Sequence, residues 1–250
     1  MADAAWHDEP VQAGSDEPPA WLNEIDALDD SSPTPPAPAS PPPQAMRGRA
    51  PGTAAAPVPV SSVDARGLDW DGLFEATANC RACRLCERRK QAVLGVGDRE
   101  ADWMIVGEGP GAEEDERGEP FVGQAGRLLD AMLPAIGLAR DKNVYIANAV
   151  KCRPPGNRTP QPDEMAACRP YLVRQIELVR PKLILAMGRP AVQTLLGGEP
   201  RISASRGKVF HYESIPVVVT YHPAYLLRNL PDKAKAWEDL CFAVDVMAGL

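Results

Sequence analysis

The sequence predicts an α/β domain, a parallel sheet with helices on both faces, and three observations carry that prediction. Four short apolar runs have the length and composition of buried strands: Trp103–Val106, Val144–Ala147, Leu183–Ala186 and Val217–Thr220. Helical periods lie between them. Each run also leads into a polar segment that contains Gly or Pro. Strands alternating with helices specify a parallel sheet, because each crossover helix returns the chain to the same end.

The elements follow in chain order. Residues 1–65 hold ten Asp or Glu against two Arg, and 13 of the 27 prolines. Such a segment buries too little apolar surface to offset its ordering entropy, so a disordered acidic tail is expected. Within it, Trp21, Leu22, Ile25 and Leu28 share one helical face in PAWLNEIDALDD, which leaves open a segment that docks on a protein partner. The tail accounts for the net charge of −7, since residues 66–250 carry 24 acids and 25 bases. A near-neutral domain can still present a basic groove to DNA. The start MADAAWHDEP has no basic, apolar leader, and no run approaches the roughly 20 apolar residues of a membrane span. The expectation is a cytoplasmic protein without a membrane partner, whose cysteines are ligands or core residues rather than disulfides.

Residues 66–250 form the expected functional domain. It begins with Cys80, Cys83 and Cys86 in a CxxCxxC pattern, joined far downstream by Cys152 and Cys168. A bacterial ferredoxin run would bring another Cys near position 90, where this chain has Lys90. Soft thiolates at this spacing suit either zinc or an iron–sulfur cluster. The first strand then runs into GEGPGA, which formally matches a dinucleotide fingerprint through Gly107, Gly109 and Ala112. Pro110 removes a backbone donor there, and Glu113 to Glu116 put four acids where a pyrophosphate would sit, so nucleotide binding is disfavoured. Ala125, Leu128, Leu129, Met132 and Ile136 mark one helix; Met165, Cys168, Leu172, Ile176 and Val179 mark a second. Pro134 and Pro170 are expected to kink or divide them.

Ligands of open α/β sheets bind beyond the carboxyl ends of the strands. GEGPG, NAVKC, GRPA and YHPAYLLR therefore converge on one edge. A metal-stapled nucleic-acid-binding module would explain the cysteines, but not a Glu, an Asn and a His gathered at one sheet edge.

With CRACRLC, GEGPGAEED, GEPFVGQAGRLL, NAVKCRPPGNRTP and YHPAYLLRN in order, the chain resembles the family 4 uracil-DNA glycosylases, the iron–sulfur type, from about Cys80 to Arg228. The resemblance implies a three-layer α/β/α sandwich with a central four-stranded parallel sheet. It implies a structural [4Fe–4S] cluster on Cys80, Cys83, Cys152 and Cys168, with Cys86 as a spare. The implied reaction is hydrolysis of the N-glycosidic bond of uracil in single- or double-stranded DNA, with the base flipped out and an abasic site left behind. A glycosylase of wider base specificity is the alternative; a covalent type would need a nucleophilic His after the second strand, and RPPGNRTP has none.

Roles carried by the matching motifs are as follows. Glu108 supports the developing sugar cation, orients the water, or both, with Asn157 a second candidate for the water. Gly109 stands where better-known uracil glycosylases have an Asp, and belongs to the substrate site. Phe121 stacks on the flipped base, Asn148 reads its Watson–Crick edge, and His222 donates to the uracil carbonyl. Glu114 fills the space that a thymine methyl would need. Leu226 or Leu227 wedges into the duplex, and Arg228 holds a phosphate. One site handles one flipped base, so a monomer is expected.

Overall fold

A computed structural model describes residues 63–250; the tail and its Trp21–Leu28 pattern lie outside the described residues, apart from Val63, Asp64 and Ala65. The sheet has six strands: β1 (Val96–Gly97), β2 (Trp103–Gly107), β3 (Val144–Asn148), β4 (Leu183–Met187), β5 (Val209–Tyr212) and β6 (Ile215–Thr220). Their order is β1-β3-β2-β4-β6-β5. The four expected runs are β2, β3, β4 and β6, and they pair in parallel as the centre of the sheet. The four-strand expectation is corrected at the edges, where β1 pairs antiparallel with β3 and β5 antiparallel with β6. Neither edge strand is a continuous apolar run: β1 is two residues long, and β5 exposes Val209 and His211.

Helices cover both faces. Because strand side chains alternate, Met104, Val106, Tyr145, Ala147, Ile184 and Ala186 face one layer with Leu172, Ile176 and Val192. These last come from α4 (Pro162–Val179) and α5 (Arg189–Leu196). Trp103, Ile105, Ile146, Leu183 and Leu185 face the other layer, against Leu129, Leu133, Leu240 and Ala243. Those belong to α3 (Gln124–Ala135) and to α8 (Asp232–Ala248). All four central strands are buried along their parallel-paired residues, as a sheet covered on both sides requires.

The second expected helix is not divided. α4 runs unbroken through Pro170 for 18 residues. The carbonyl that proline leaves without a helical partner belongs to Ala166, an exposed residue, so its loss of a donor costs little. Pro134 does act near a terminus, since α3 ends one residue later at Ala135. A third apolar cluster lies beside the sheet. There α1 (Trp70–Ala78), started by the Asp69 carboxylate accepting from Gly72 N at 2.9 Å, joins Leu85, Val150, Met165 and Tyr171 around the cysteines.

Candidate active site and cysteine centre

The carboxyl ends of β2, β3 and β6 open into one cavity of about 510 Å³, within the range of small-molecule sites. It is lined by Glu108, Gly109, Glu114, Phe121, Asn148, Asn157, His222 and Arg228 together. Residues spread over 121 positions of sequence thus meet because their strands are parallel and end on the same edge of one sheet.

Asn148 ends β3 with its side chain 1% exposed. Both Nδ2 and Oδ1 are buried, and neither has a hydrogen-bond partner. Leaving a buried polar atom unpaired costs about 1–3 kcal/mol, so an unpaired donor beside an unpaired acceptor marks a place where a ligand completes the pairing. Gly107 makes this possible: a Cβ there would lie 2.4 Å from Phe121 Cζ and 2.6 Å from Asn148 Oδ1.

Phe121 is held in a left-handed conformation, φ 55°, which its surroundings over-determine. Arg140 Nη1 donates to Pro120 O at 2.9 Å and Arg140 Nη2 to Phe121 O. Glu114 Oε1 accepts from Val122 N and Gly123 N, each at 2.9 Å, while Oε2 accepts from Gly111 N at 3.0 Å. The carboxylate of Glu114 is therefore consumed in tying the aromatic loop to the GEGPG turn. It lines the cavity as a brace, a part that the sequence did not suggest. Phe121 itself is 4% exposed and stacks on His222, ring centroids 5.4 Å apart at 27°.

His222 caps the short helix α7 (Pro223–Leu226): its Nδ1 accepts from Ala224 N at 3.1 Å. An imidazole that accepts through Nδ1 carries its proton on Nε2, which becomes a donor. Burial, with help from the Arg228 cation, pushes the imidazole down to about 4; Glu114 opposes this. His222 is thus a neutral donor at ordinary pH.

Glu108 follows β2, half-buried, and burial raises its carboxyl above the usual range. Arg189, Arg228 and a hydrogen bond from Thr159 oppose the rise. The net effect leaves the Glu108 carboxyl with a greater affinity for a proton than an exposed glutamate has. Asn157, also at φ 55°, uses its Oδ1 to accept from Arg153 Nε at 2.7 Å. Only its amide N–H groups remain for a water oxygen, so it can hold a water but not take its proton.

The wedge expectation is resolved by exposure. Leu226 is 1% exposed and belongs to the core, whereas Leu227 is 38% exposed beside Arg228. Leu226 is corrected to a packing residue, since a buried side chain cannot enter a duplex. Leu227→Ala is expected to slow excision from duplexes about tenfold while changing single-strand rates less than twofold, because only duplexes must be opened. Parallel rate assays on both substrates check this, and equal losses would count against a wedge.

Cys80, Cys83, Cys86, Cys152 and Cys168 line a second cavity with Arg89, Lys151 and Tyr171. Arg89 Nη1 donates to Cys152 Sγ at 2.8 Å and Lys151 N to Cys168 Sγ at 3.2 Å. Burial pushes the Cys83 thiol up to about 11 and Cys168 to about 12, so thiolates there need a bound cation. Among the described residues, no three His, Cys, Asp or Glu side chains close around one point as a single metal ion requires.

Sequence reading missed three residues. Arg189 stood in GRPA without a role, and Thr159 in NRTP likewise; the first begins α5, from where its charge acts on Glu108. Lys151, 1% exposed, was hidden by the rule that lysines face water.

Comparison with known proteins agrees with this geometry. The family model for the uracil DNA glycosylase superfamily matches residues 94–241. A type-4 uracil-DNA glycosylase of Archaeoglobus fulgidus is 44% identical over 165 residues, 63% of this chain and 82% of the relative. One of Thermotoga maritima is 45% identical over 157 residues, 62% of this chain and 81% of the relative. A type-5 uracil-DNA glycosylase of Pyrobaculum aerophilum is 33% identical over 149 residues, 53% of this chain and 66% of the relative.

Proposed function

The chain belongs to the uracil DNA glycosylase superfamily, alongside its type-4 members, and from that premise we propose how its residues divide the work. The protein is a hydrolase that removes uracil from DNA in repair. No described helix is long and apolar enough to cross a membrane. The glycosylase domain is residues 66–250, which works as a monomer on cytoplasmic DNA, because one cavity accepts one base.

The unpaired amide of Asn148 carries the assignment of the base pocket. Uracil presents N3–H beside O4; Oδ1 accepts from the first and Nδ2 donates to the second. Phe121 gives the flipped ring an apolar wall. As the glycosidic bond breaks, negative charge collects on the departing base, and the Nε2–H of His222 donates to its carbonyl. Positive charge develops on the sugar, and the Glu108 carboxylate faces it and takes a proton from the attacking water. Asn157 holds that water by its amide N–H, and Gly109 keeps the approach open. Leu227 enters the gap in the stack, and Arg228 holds a phosphate.

The cysteine centre suits an iron–sulfur cluster, because five cysteine thiols and no histidine line one cavity. Cys80, Cys83, Cys152 and Cys168 would hold a [4Fe–4S] group, with Cys86 beside them. Such a group, when bound, supplies a covalent staple between the amino-terminal turn and the loop that carries Asn148 and Asn157. The N–H donors of Arg89 and Lys151 stabilise the thiolates whatever they hold.

The test is an end-labelled oligonucleotide containing one uracil, treated with protein and then alkali. The wild type is expected to give strand scission, with none on thymine. Glu108→Gln, isosteric but unable to take a proton, is expected to lower kcat by about 10²-fold or more. A rate within twofold of wild type would move water activation away from Glu108.

A further inference from the structure

Lys151 lies between the cysteine centre and the residue that reads the base, and all its polar atoms are committed. Its backbone N donates to Cys168 Sγ at 3.2 Å, and its carbonyl accepts from Val93 N at 2.8 Å. Its Nζ donates to the Asn148 carbonyl at 2.7 Å and to Gln175 Oε1 at 2.5 Å. Gln175 is itself fixed, its Nε2 donating to Leu94 O at 2.8 Å and to Tyr145 Oη at 3.0 Å. A cation buried without an ion pair costs several kcal/mol. Yet no carboxylate among the described residues forms a salt bridge with Lys151. The ammonium instead spends its hydrogen bonds on the Asn148 carbonyl and Gln175 Oε1, while the backbone N–H of the same residue donates to Cys168 Sγ.

We propose that Lys151 is a positioning residue, a buried strut between the cysteine centre and the Asn148 main chain that fixes the register of the base-reading amide. Asn148 needs such support, because its own side chain has no partner to orient it before the base arrives. A carbonyl clamped by an ammonium at 2.7 Å fixes the backbone from which that amide projects. Cys152 follows Lys151 directly, so a shift at the cysteines reaches Asn148 through one residue.

The inference rests on Asn148 reading the base, and a double-mutant cycle on the full chain separates the two. Lys151→Met, Asn148→Ala and the double variant are compared with wild type for kcat/KM on a uracil oligonucleotide, inhibition by free uracil, iron per protein and visible absorbance. Lys151→Met is expected to keep the wild-type iron content and spectrum, because the cysteines remain. Its kcat/KM is expected to fall about 10–100-fold, the usual cost of losing a supporting contact, with uracil inhibition weakened about tenfold. In the Asn148→Ala background the same change is expected to cost less than twofold in both. Equal losses in both backgrounds would overturn the proposal, as would iron lost in step with activity, which would make Lys151 a support of the cysteines alone. An Asn148→Ala protein as active as wild type would overturn the reading of Asn148 first, and the strut with it. Should Lys151→Met not fold, Lys151→Gln is read by the same criteria.

Discussion

His222→Ala lowers kcat on uracil-containing DNA by about 10²–10³-fold, the loss expected when one preorganised donor to a developing negative charge is removed. The donor is preorganised twice. Ala224 N occupies Nδ1 and so fixes the tautomer, and Phe121 stacks on the ring and fixes its plane. The low proton affinity of the imidazole sets the pH dependence. An ordinary histidine charges near 6.5, whereas this one stays neutral until about pH 4. His222 therefore puts no inflection near 6.5 into a kcat profile, and the acid limb is expected from Glu108, whose carboxyl burial raises. The linkage has a definite sign. Below about 6.5 the unfolded chain binds a proton that the folded chain refuses until about 4, so this group lowers stability progressively as pH falls through that window. Above 6.5 it contributes no pH dependence. Urea unfolding of wild type and His222→Ala at pH 7.5 and pH 5 should show the smaller drop in the variant. A kcat inflection near 6.5 that disappears in His222→Ala would instead make the imidazolium the working form.

The central sheet was legible because a strand covered on both faces must be apolar at every position. The edge strands were not, because β5 meets water through Val209 and His211 and so lacks that signature. Convergence of Glu108, Asn148 and His222 followed from the same parallel strands, whose carboxyl ends share an edge by topology alone. Choosing between Leu226 and Leu227 was beyond the sequence. Two identical neighbours differ only in helical phase, and a four-residue helix is too short to declare its phase by pattern. The bracing part of Glu114 was hidden for a related reason: a carboxylate next to a presumed anion site reads as a wall or a repeller, and only coordinates reveal three backbone N–H groups around it. Lys151 was invisible because residue type argues for exposure, and its partners Asn148, Gln175 and Cys168 meet it only in the fold.

Asn148→Ala is expected to reduce kcat/KM for uracil by about 10²–10⁴-fold. The estimate comes from leaving N3–H and O4 of a buried base unpaired, at about 1–3 kcal/mol each. In the free protein the amide already bears that penalty, since neither of its polar atoms has a partner. Binding uracil removes the penalty from protein and base together, which is why a pocket built to hydrogen-bond its ligand rejects a base that cannot reciprocate. Cytosine presents an acceptor at N3 and a donor at N4, the reverse of what Oδ1 and Nδ2 offer. Asn148→Asp is the sharper variant. A carboxylate has nearly the shape of the amide but no donor, so its second oxygen faces uracil O4 acceptor to acceptor. Asn148→Asp should therefore lose at least as much activity on uracil as Asn148→Ala, although it restores the volume that alanine leaves empty. Single-turnover rates on one uracil oligonucleotide decide the matter. If the order is reversed, with Asp well above Ala, the site needs filled volume at position 148 more than a donor, and the reading of the base edge fails.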